Sequence, residues 1–263
     1  MRELVVRALS GLVFTSIIIG SILYSKESFY IVFYLVMMVC LYEFKNLINL
    51  SYKWTLVVAT LIFFRFANLP ALDFKYFQFF LIASIFVPFI YQVFKPKIRL
   101  TSSKLGHYLL ALAYIAIPFA LLTQIPFINS TYHPAIIIGV FILIWVNDSF
   151  AYLVGSTLGR TKLYEKISPN KTIEGAIGGL VAALVASYFI SKYFTDLSIT
   201  NWIIIASIVV VFGLLGDLIE SKFKREAGVK DSSNFIPGHG GFLDRLDSVI
   251  FAAPFVYVYL HII

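Results

Sequence analysis

Residues 201–220 read NWIIIASIVVVFGLLGDLIE, an apolar run from Trp202 to Leu215 that closes on two acids, Asp217 and Glu220. A helix that crosses a membrane needs about 20 predominantly apolar residues, and this stretch reaches that length with its two acids at the end. Eight further runs of the same kind lie outward from it, at 5–24, 29–48, 54–71, 74–94, 107–126, 134–157, 173–191 and 242–262, with Arg65 and Asn68 interrupting the third. Of the 263 residues, 60% are hydrophobic and 13% charged, whereas soluble domains average about 25% charged. Disordered, collagen-like and disulfide-scaffold chains are excluded by the same figures. Cys40 is the single cysteine, inside FYLVMMVCLY, so no intrachain disulfide can form. The predicted fold is an all-α polytopic integral membrane protein of about nine transmembrane helices. Residues 1–133 are expected to form a scaffold and 134–263 a catalytic region. Arg2 and Arg7 precede the first run, but no small-residue cleavage site follows it, so it is read as a span rather than a signal peptide.

Orientation follows from the basic residues, which favour the cytoplasmic side of short loops. Counted alternately along nine spans, seventeen Lys and Arg fall on one side and four on the other. The N-terminus is therefore expected in the cytoplasm and the C-terminus outside. The formal charge of +7 divides in the same way. Residues 1–147 hold 11 basic and 4 acidic side chains, and residues 148–263 hold 10 of each. The excess orients the bundle and requires no nucleic-acid partner, while the neutral remainder gathers 20 of the 35 charges.

Four segments carry those charges. Asp148, in Trp145–Tyr152, is an acid inside the sixth span, and such groups face a partner or a wet cavity; satisfaction by the Ser149 hydroxyl is the structural alternative. Gly155, Gly159, Gly175 and Gly179 form two GxxxG patterns suited to close helix packing. Between them Ser168, Lys171 and Thr172 precede a helix start that favours phosphate, although a short basic loop is also ordinary topology. Asp217 with Glu220 and Asp217 with Ser221 share a helix face, and carboxylates so placed beside phosphates suit Mg²⁺; Glu220 could instead pair with Lys224. Finally Lys224, Arg225, Lys230 and a Pro237-Gly-His239-Gly240-Gly241 turn leading into a helix start offer a polyanion cradle, and in Asp244-Arg245-x-Asp247 the two acids stand i,i+3 on one face at the start of the ninth span. His239 fits a phosphate donor, a general acid or a turn residue. Under the expected topology all four segments meet at the cytoplasmic face. No Walker A, HExxH, paired CxxC or GxSxG pattern is present.

The run from Ser221 to Asp247 resembles the signature of the phosphatidate cytidylyltransferase (CDP-diacylglycerol synthase) family, with Ser221, Lys224, Arg225, Lys230, Asp231, Pro237, His239, Gly240, Gly241, Asp244, Arg245 and Asp247 all in register. Asn147-Asp148, Ala151-Tyr152, Gly155, Gly159-Arg160, Ser168-Pro169, Lys171 and Glu174-Gly175 resemble its upstream motifs. Residues 1–140 resemble it only as successive apolar spans. The resemblance implies a Mg²⁺-dependent reaction, with a second cation allowed, in which CTP and phosphatidic acid give CDP-diacylglycerol and pyrophosphate. It implies Asp217 and Asp244 as metal ligands. Lys224, Arg225, Lys230 and Arg245 become phosphate clamps, with Asp148 and Asp247 supporting the site. Lys171, Ser168, Thr172, Ser221, His239, Gly240 and Gly241 become substrate contacts. A homodimer is compatible with this reading, and the short loops favour a bacterial inner membrane. Two other readings compete: a CTP-dependent lipid kinase, and a transporter built around Asp148, against which stands the lack of an internal repeat.

Overall fold

The structure, a computed structural model, describes residues 2–67, 75–94 and 103–263. Nine helices run through them, one at each apolar run: α1 (Arg2–Tyr24), α2 (Lys26–Ile48), α3 (Tyr52–Ala67), α4 (Lys75–Phe94), α5 (Lys104–Leu122), α6 (Pro134–Leu158), α7 (Ile173–Tyr193), α8 (Ile199–Glu226) and α9 (Leu243–Ile262). Among the described residues, seven are long and apolar enough to cross a membrane. The other two are α3 and α4. At about 1.5 Å per residue, the 16 residues of α3 fall short of the ~30 Å hydrocarbon core. Residues 68–74, which take in the end of the expected third span and its connection to the fourth, and the basic connection with Lys95, Lys97 and Arg99 lie outside the described residues.

Helix starts follow local chemistry. The Ser25, Ser103, Thr172 and Ser198 hydroxyls each accept a backbone N–H from the first turn that follows them. Helix α5 widens into a π turn at Leu112–Ala116 just before Pro118, which has no N–H to donate. Helix α8 departs most from expectation: it runs six residues past Glu220, so Lys222, Lys224 and Arg225 stand on helix rather than loop. Two hairpins lie outside the apolar pattern. Strands β1 (Phe127–Ile128) and β2 (Thr131–Tyr132) pair antiparallel, as do β3 (Lys162–Tyr164) and β4 (Ser168–Thr172).

The most extensive packing joins α6 to α7 and α8 to α9. Phe212 and Phe255 stack with ring centroids 3.5 Å apart across the second pair. Trp202 is fully buried in α8 because Gly139 of α6 leaves room for its ring. Outward faces stay apolar. Val5, Leu9, Leu12 and Val13 on α1 and Ile177, Val181 and Val185 on α7 are exposed at helical spacing, as a lipid-facing surface requires. At one end of the bundle His133 Nδ1 meets Asp196 Oδ1 at 2.7 Å. The opposite end collects the β3–β4 hairpin, the last turns of α8 and the first turns of α9.

A Cβ at Gly139 would lie 2.2 Å from Trp202 Cη2, whereas one at Gly20 would meet nothing within 4 Å. Gly139→Ala is therefore expected to lose about 1–3 kcal/mol to overpacking, read as a lowered unfolding midpoint in detergent. Gly20→Ala should leave that midpoint unchanged or slightly raised.

Candidate active site

The site begins with the approach of α6 to α7. A Cβ at Gly175 would sit 2.7 Å from the Ala151 carbonyl oxygen, and one at Gly179 would sit 2.8 Å from that of Asn147. Gly155, Gly175 and Gly179 thus bring the two backbones together, in the packing role expected of them, whereas Gly159 lies past the end of α6 and packs against the Thr172 side chain. On the same stretch of α6, Asp148 is exposed to a cavity of about 900 Å³ and accepts a hydrogen bond from Asn147 Nδ2 at 3.1 Å. The hairpin that follows is pinned at its base. Glu174 accepts from the Arg160 and Thr161 amides, each at 3.1 Å, and Thr172 Oγ1 accepts from Gly175 N at 3.1 Å. So held, β4 directs Lys171 across to α8, where its ammonium pairs with Asp217 Oδ2.

Helix α8 then presents Asp217, Glu220, Ser221 and Lys224 along one face. Ser221 Oγ donates to Asp217 Oδ1 at 3.2 Å. Lys224 pairs with Glu220, the alternative foreseen for that acid, and also donates to Asp244 Oδ1 at 2.7 Å. The Glu220 side chain is 0% exposed. From α9, Asp247 lies one turn beyond Asp244 and accepts from Ser248 N at 2.7 Å. Carboxylate oxygens of Asp217, Glu220 and Asp247 all lie within 4.8 Å of one another. At about 4 Å and an effective dielectric near 20, each like-charged pair repels by about 4 kcal/mol. Lys171 and Lys224 offset part of that repulsion, and the donor set is the all-oxygen kind that a hard divalent cation takes.

Asp244 is held differently. Its Oδ2 accepts from Gly241 N at 2.8 Å, Ser232 N at 2.9 Å and Ser232 Oγ at 2.8 Å. The glycine turn makes this fit: Gly240 has φ +85°, and a Cβ on Gly241 would lie 2.1 Å from Ser232 Oγ. His239 Nδ1 lies 2.9 Å from Ser10 Oγ of α1, which also donates to the Pro237 carbonyl at 2.9 Å. Burial and the nearby Arg245 guanidinium lower the His239 pKa, so its ring is neutral at pH 7. Protonation as the pH falls below the ordinary histidine value, about 6.5, therefore works against the folded turn.

Of the fifteen residues expected to act at the site, ten line one cavity: Asp148, Ser168, Lys171, Thr172, Asp217, Lys224, His239, Asp244, Arg245 and Asp247. Ser221, Gly240 and Gly241 do not line it; Ser221 Oγ and Gly241 N donate to the lining acids Asp217 and Asp244. Arg225 and Lys230 are exposed, and Arg225 Nη1 donates to the Val229 carbonyl at 3.1 Å; neither lines the cavity. The sequence reading did not single out the contributions of α1 and α2. Gly11, Phe14 and Thr15 form a wall of the cavity, and Glu43 of α2 binds the loop before α9. A lone acid inside an apolar span was the available signal for Glu43, as it was for Asp148.

Comparison with known proteins agrees with this geometry. A model of the cytidylyltransferase family matches residues 5–263. The chain is 40% identical to a phosphatidate cytidylyltransferase of Staphylococcus saprophyticus over 182 residues, which cover 68% of each chain. It is 41% identical to one of Staphylococcus aureus over the same length and share. A third, from Haemophilus influenzae, is 44% identical over 164 residues, 55% of this chain and 57% of the relative. With the cavity-lining motifs inside the matched region, the chain belongs to the cytidylyltransferase family.

Proposed function

We propose that this membrane protein is a phosphatidate cytidylyltransferase, joining CTP to phosphatidic acid to give CDP-diacylglycerol and pyrophosphate. The observation that carries the reading is one cavity, at one end of an apolar bundle, that combines acids (Asp148, Asp217, Asp244, Asp247) with cations (Lys171, Lys224, Arg245). A nucleotide triphosphate and a lipid phosphate both need cations, and a lipid substrate needs them beside an apolar surface. The relatives' names supply the substrate pair.

In this reaction a phosphate oxygen of the lipid attacks the α-phosphorus of CTP. The new P–O bond forms as the bond from the α-phosphorus to the bridging oxygen breaks, and pyrophosphate leaves with that electron pair. A phosphate monoester is largely ionised near pH 7, so no strong general base is required. The work falls to positioning and charge neutralisation. Lys171 and Arg245 would hold phosphate oxygens, and Lys224 would join them while keeping Asp244 in place. Arg225 and Lys230 would act only at the rim. Asp217 would hold the magnesium ion with Asp247, Glu220 and Asp244 nearby, the close carboxylate oxygens being the feature that fits a cation. Bound there, magnesium supplies charge withdrawal from the leaving pyrophosphate. The basic-residue asymmetry supports a site that faces the cytoplasm, and bacterial relatives support an inner-membrane location.

Label placement tests the reaction. With purified protein, phosphatidic acid and Mg²⁺, label from the α-phosphate of CTP should enter lipid and label from the γ-phosphate should leave as pyrophosphate. Transfer of γ-label to lipid would instead identify a kinase. Asp217→Asn should lower kcat by about 100-fold or more, in the range seen when one electrostatic stabiliser is removed, with the unfolding midpoint kept. Chelation should abolish turnover and added Mg²⁺ should restore it. Among the cations, Lys171→Met and Arg245→Met should each cost more than tenfold in kcat/KM, whereas Arg225→Met and Lys230→Met should stay within about threefold; the reverse order would refute the assignment of the clamps.

A further inference from the structure

Glu43 lies on α2, outside the stretch that carries the motifs, and its side chain is completely buried. Each of its oxygens accepts one hydroxyl and one backbone amide. Oε1 takes Ser233 Oγ at 2.6 Å and Phe242 N at 3.0 Å; Oε2 takes Ser232 Oγ at 3.1 Å and Leu243 N at 2.8 Å. The two amides are free N–H groups at the start of α9, whose own N-cap position, Phe242, makes no side-chain bond. A carboxylate there is favoured both as a hydrogen-bond acceptor and by the helix dipole. Gly241 is shaped to the same contact, because a Cβ would stand 2.6 Å from both Glu43 oxygens.

We propose that Glu43 is a positioning residue for the transfer reaction, an anionic anchor on α2 that sets Asp244 and the glycine turn through Ser232 and the first amides of α9. Ser232 Oγ lies 3.1 Å from Glu43 Oε2 and 2.8 Å from Asp244 Oδ2, so one hydroxyl proton is shared between the two carboxylates. Asp244 in turn fixes Lys224 at 2.7 Å. Movement of the anchor therefore moves a carboxylate and a cation of the cavity together. A misplacement of about 1 Å at a reacting centre costs on the order of 100-fold in rate, so the anchor acts on turnover without touching substrate. The kinetic part of this inference rests on the activity proposed above; the structural part does not.

The informative variant is Glu43→Gln. Glutamine keeps the volume, but each carboxylate oxygen already accepts a backbone N–H, so the amide nitrogen must face one of those donors. Hydrogen exchange measured on the full chain in detergent should rise at least tenfold at the amides of Ser232, Gly241, Phe242 and Leu243, with the α6–α7 core unchanged. Turnover of CTP and phosphatidic acid should fall 10- to 100-fold in kcat, with KM for phosphatidic acid within threefold. Ser232→Ala added to Glu43→Gln should cost less than the product of the two single effects, as expected of residues acting through one another. If the glutamine variant does not accumulate, Glu43→Asp decides: it keeps the charge but is one methylene too short to reach both amides, and should show the same changes in smaller degree. Local exchange and kcat both within twofold of the parent in the variant tested would overturn the proposal, as would a lowered unfolding midpoint with kcat and local exchange unaltered. A parent protein that makes no CDP-lipid would sink the proposed activity, while the exchange result would still judge the anchor.

Discussion

A carboxylate in an apolar bundle stays ionised only where cations or donors replace the water it has lost. Around Asp217, Glu220, Asp244 and Asp247 that compensation is divided between two lysines and a set of backbone amides. Lys171 crosses from β4 to Asp217, and Lys224 stands between Glu220 and Asp244. Every element near the cavity answers to this arrangement. Helix α8 must continue past the apolar run to carry Lys224, and the hairpin must be pinned for Lys171 to reach α8. The turn before α9 must be glycine-rich for Asp244 to collect its amides.

The remaining helices give that cluster its setting. Helices α6 and α7 approach to backbone contact through their glycines, which puts Asp148 and the hairpin on one cavity wall. Helix α1 closes another wall, and its Ser10 ties down the turn through Pro237 and His239. Exposed apolar stripes on α1 and α7 leave this polar chamber beside lipid. A water-soluble triphosphate and a membrane-bound phosphate can meet only in such a place.

Much of this was legible in the residues. Among the described residues each apolar run holds a helix whose ends agree to within a few residues, apart from the longer end of α8, because length and composition govern insertion more strongly than local propensity does. The i,i+3 spacing of Asp217 with Glu220 and of Asp244 with Asp247 foretold acids on shared faces. Long-range partners were not legible. Glu43 stands out as the lone acid of its span, but nothing local names its partners, which come from a loop nearly 200 positions away. Arg225 and Lys230 belong to the same motif as Lys224, yet Lys224 alone of the three lines the cavity: Arg225 turns to the Val229 carbonyl, and Lys230 lies exposed in the loop past the end of α8. The short hairpins lack the alternating apolar pattern that marks a half-buried strand, so the sequence held no sign of how Lys171 would be aimed.

In the proposed reaction the lipid phosphate is the attacking group. Phosphatidic acid carrying ¹⁸O on its terminal phosphate oxygens tests this directly, with both products analysed by mass spectrometry. If a lipid oxygen attacks the α-phosphorus, all of the ¹⁸O stays in CDP-diacylglycerol and the pyrophosphate carries none. Heavy oxygen in the pyrophosphate, or a lipid product without the cytidine group, would contradict the account.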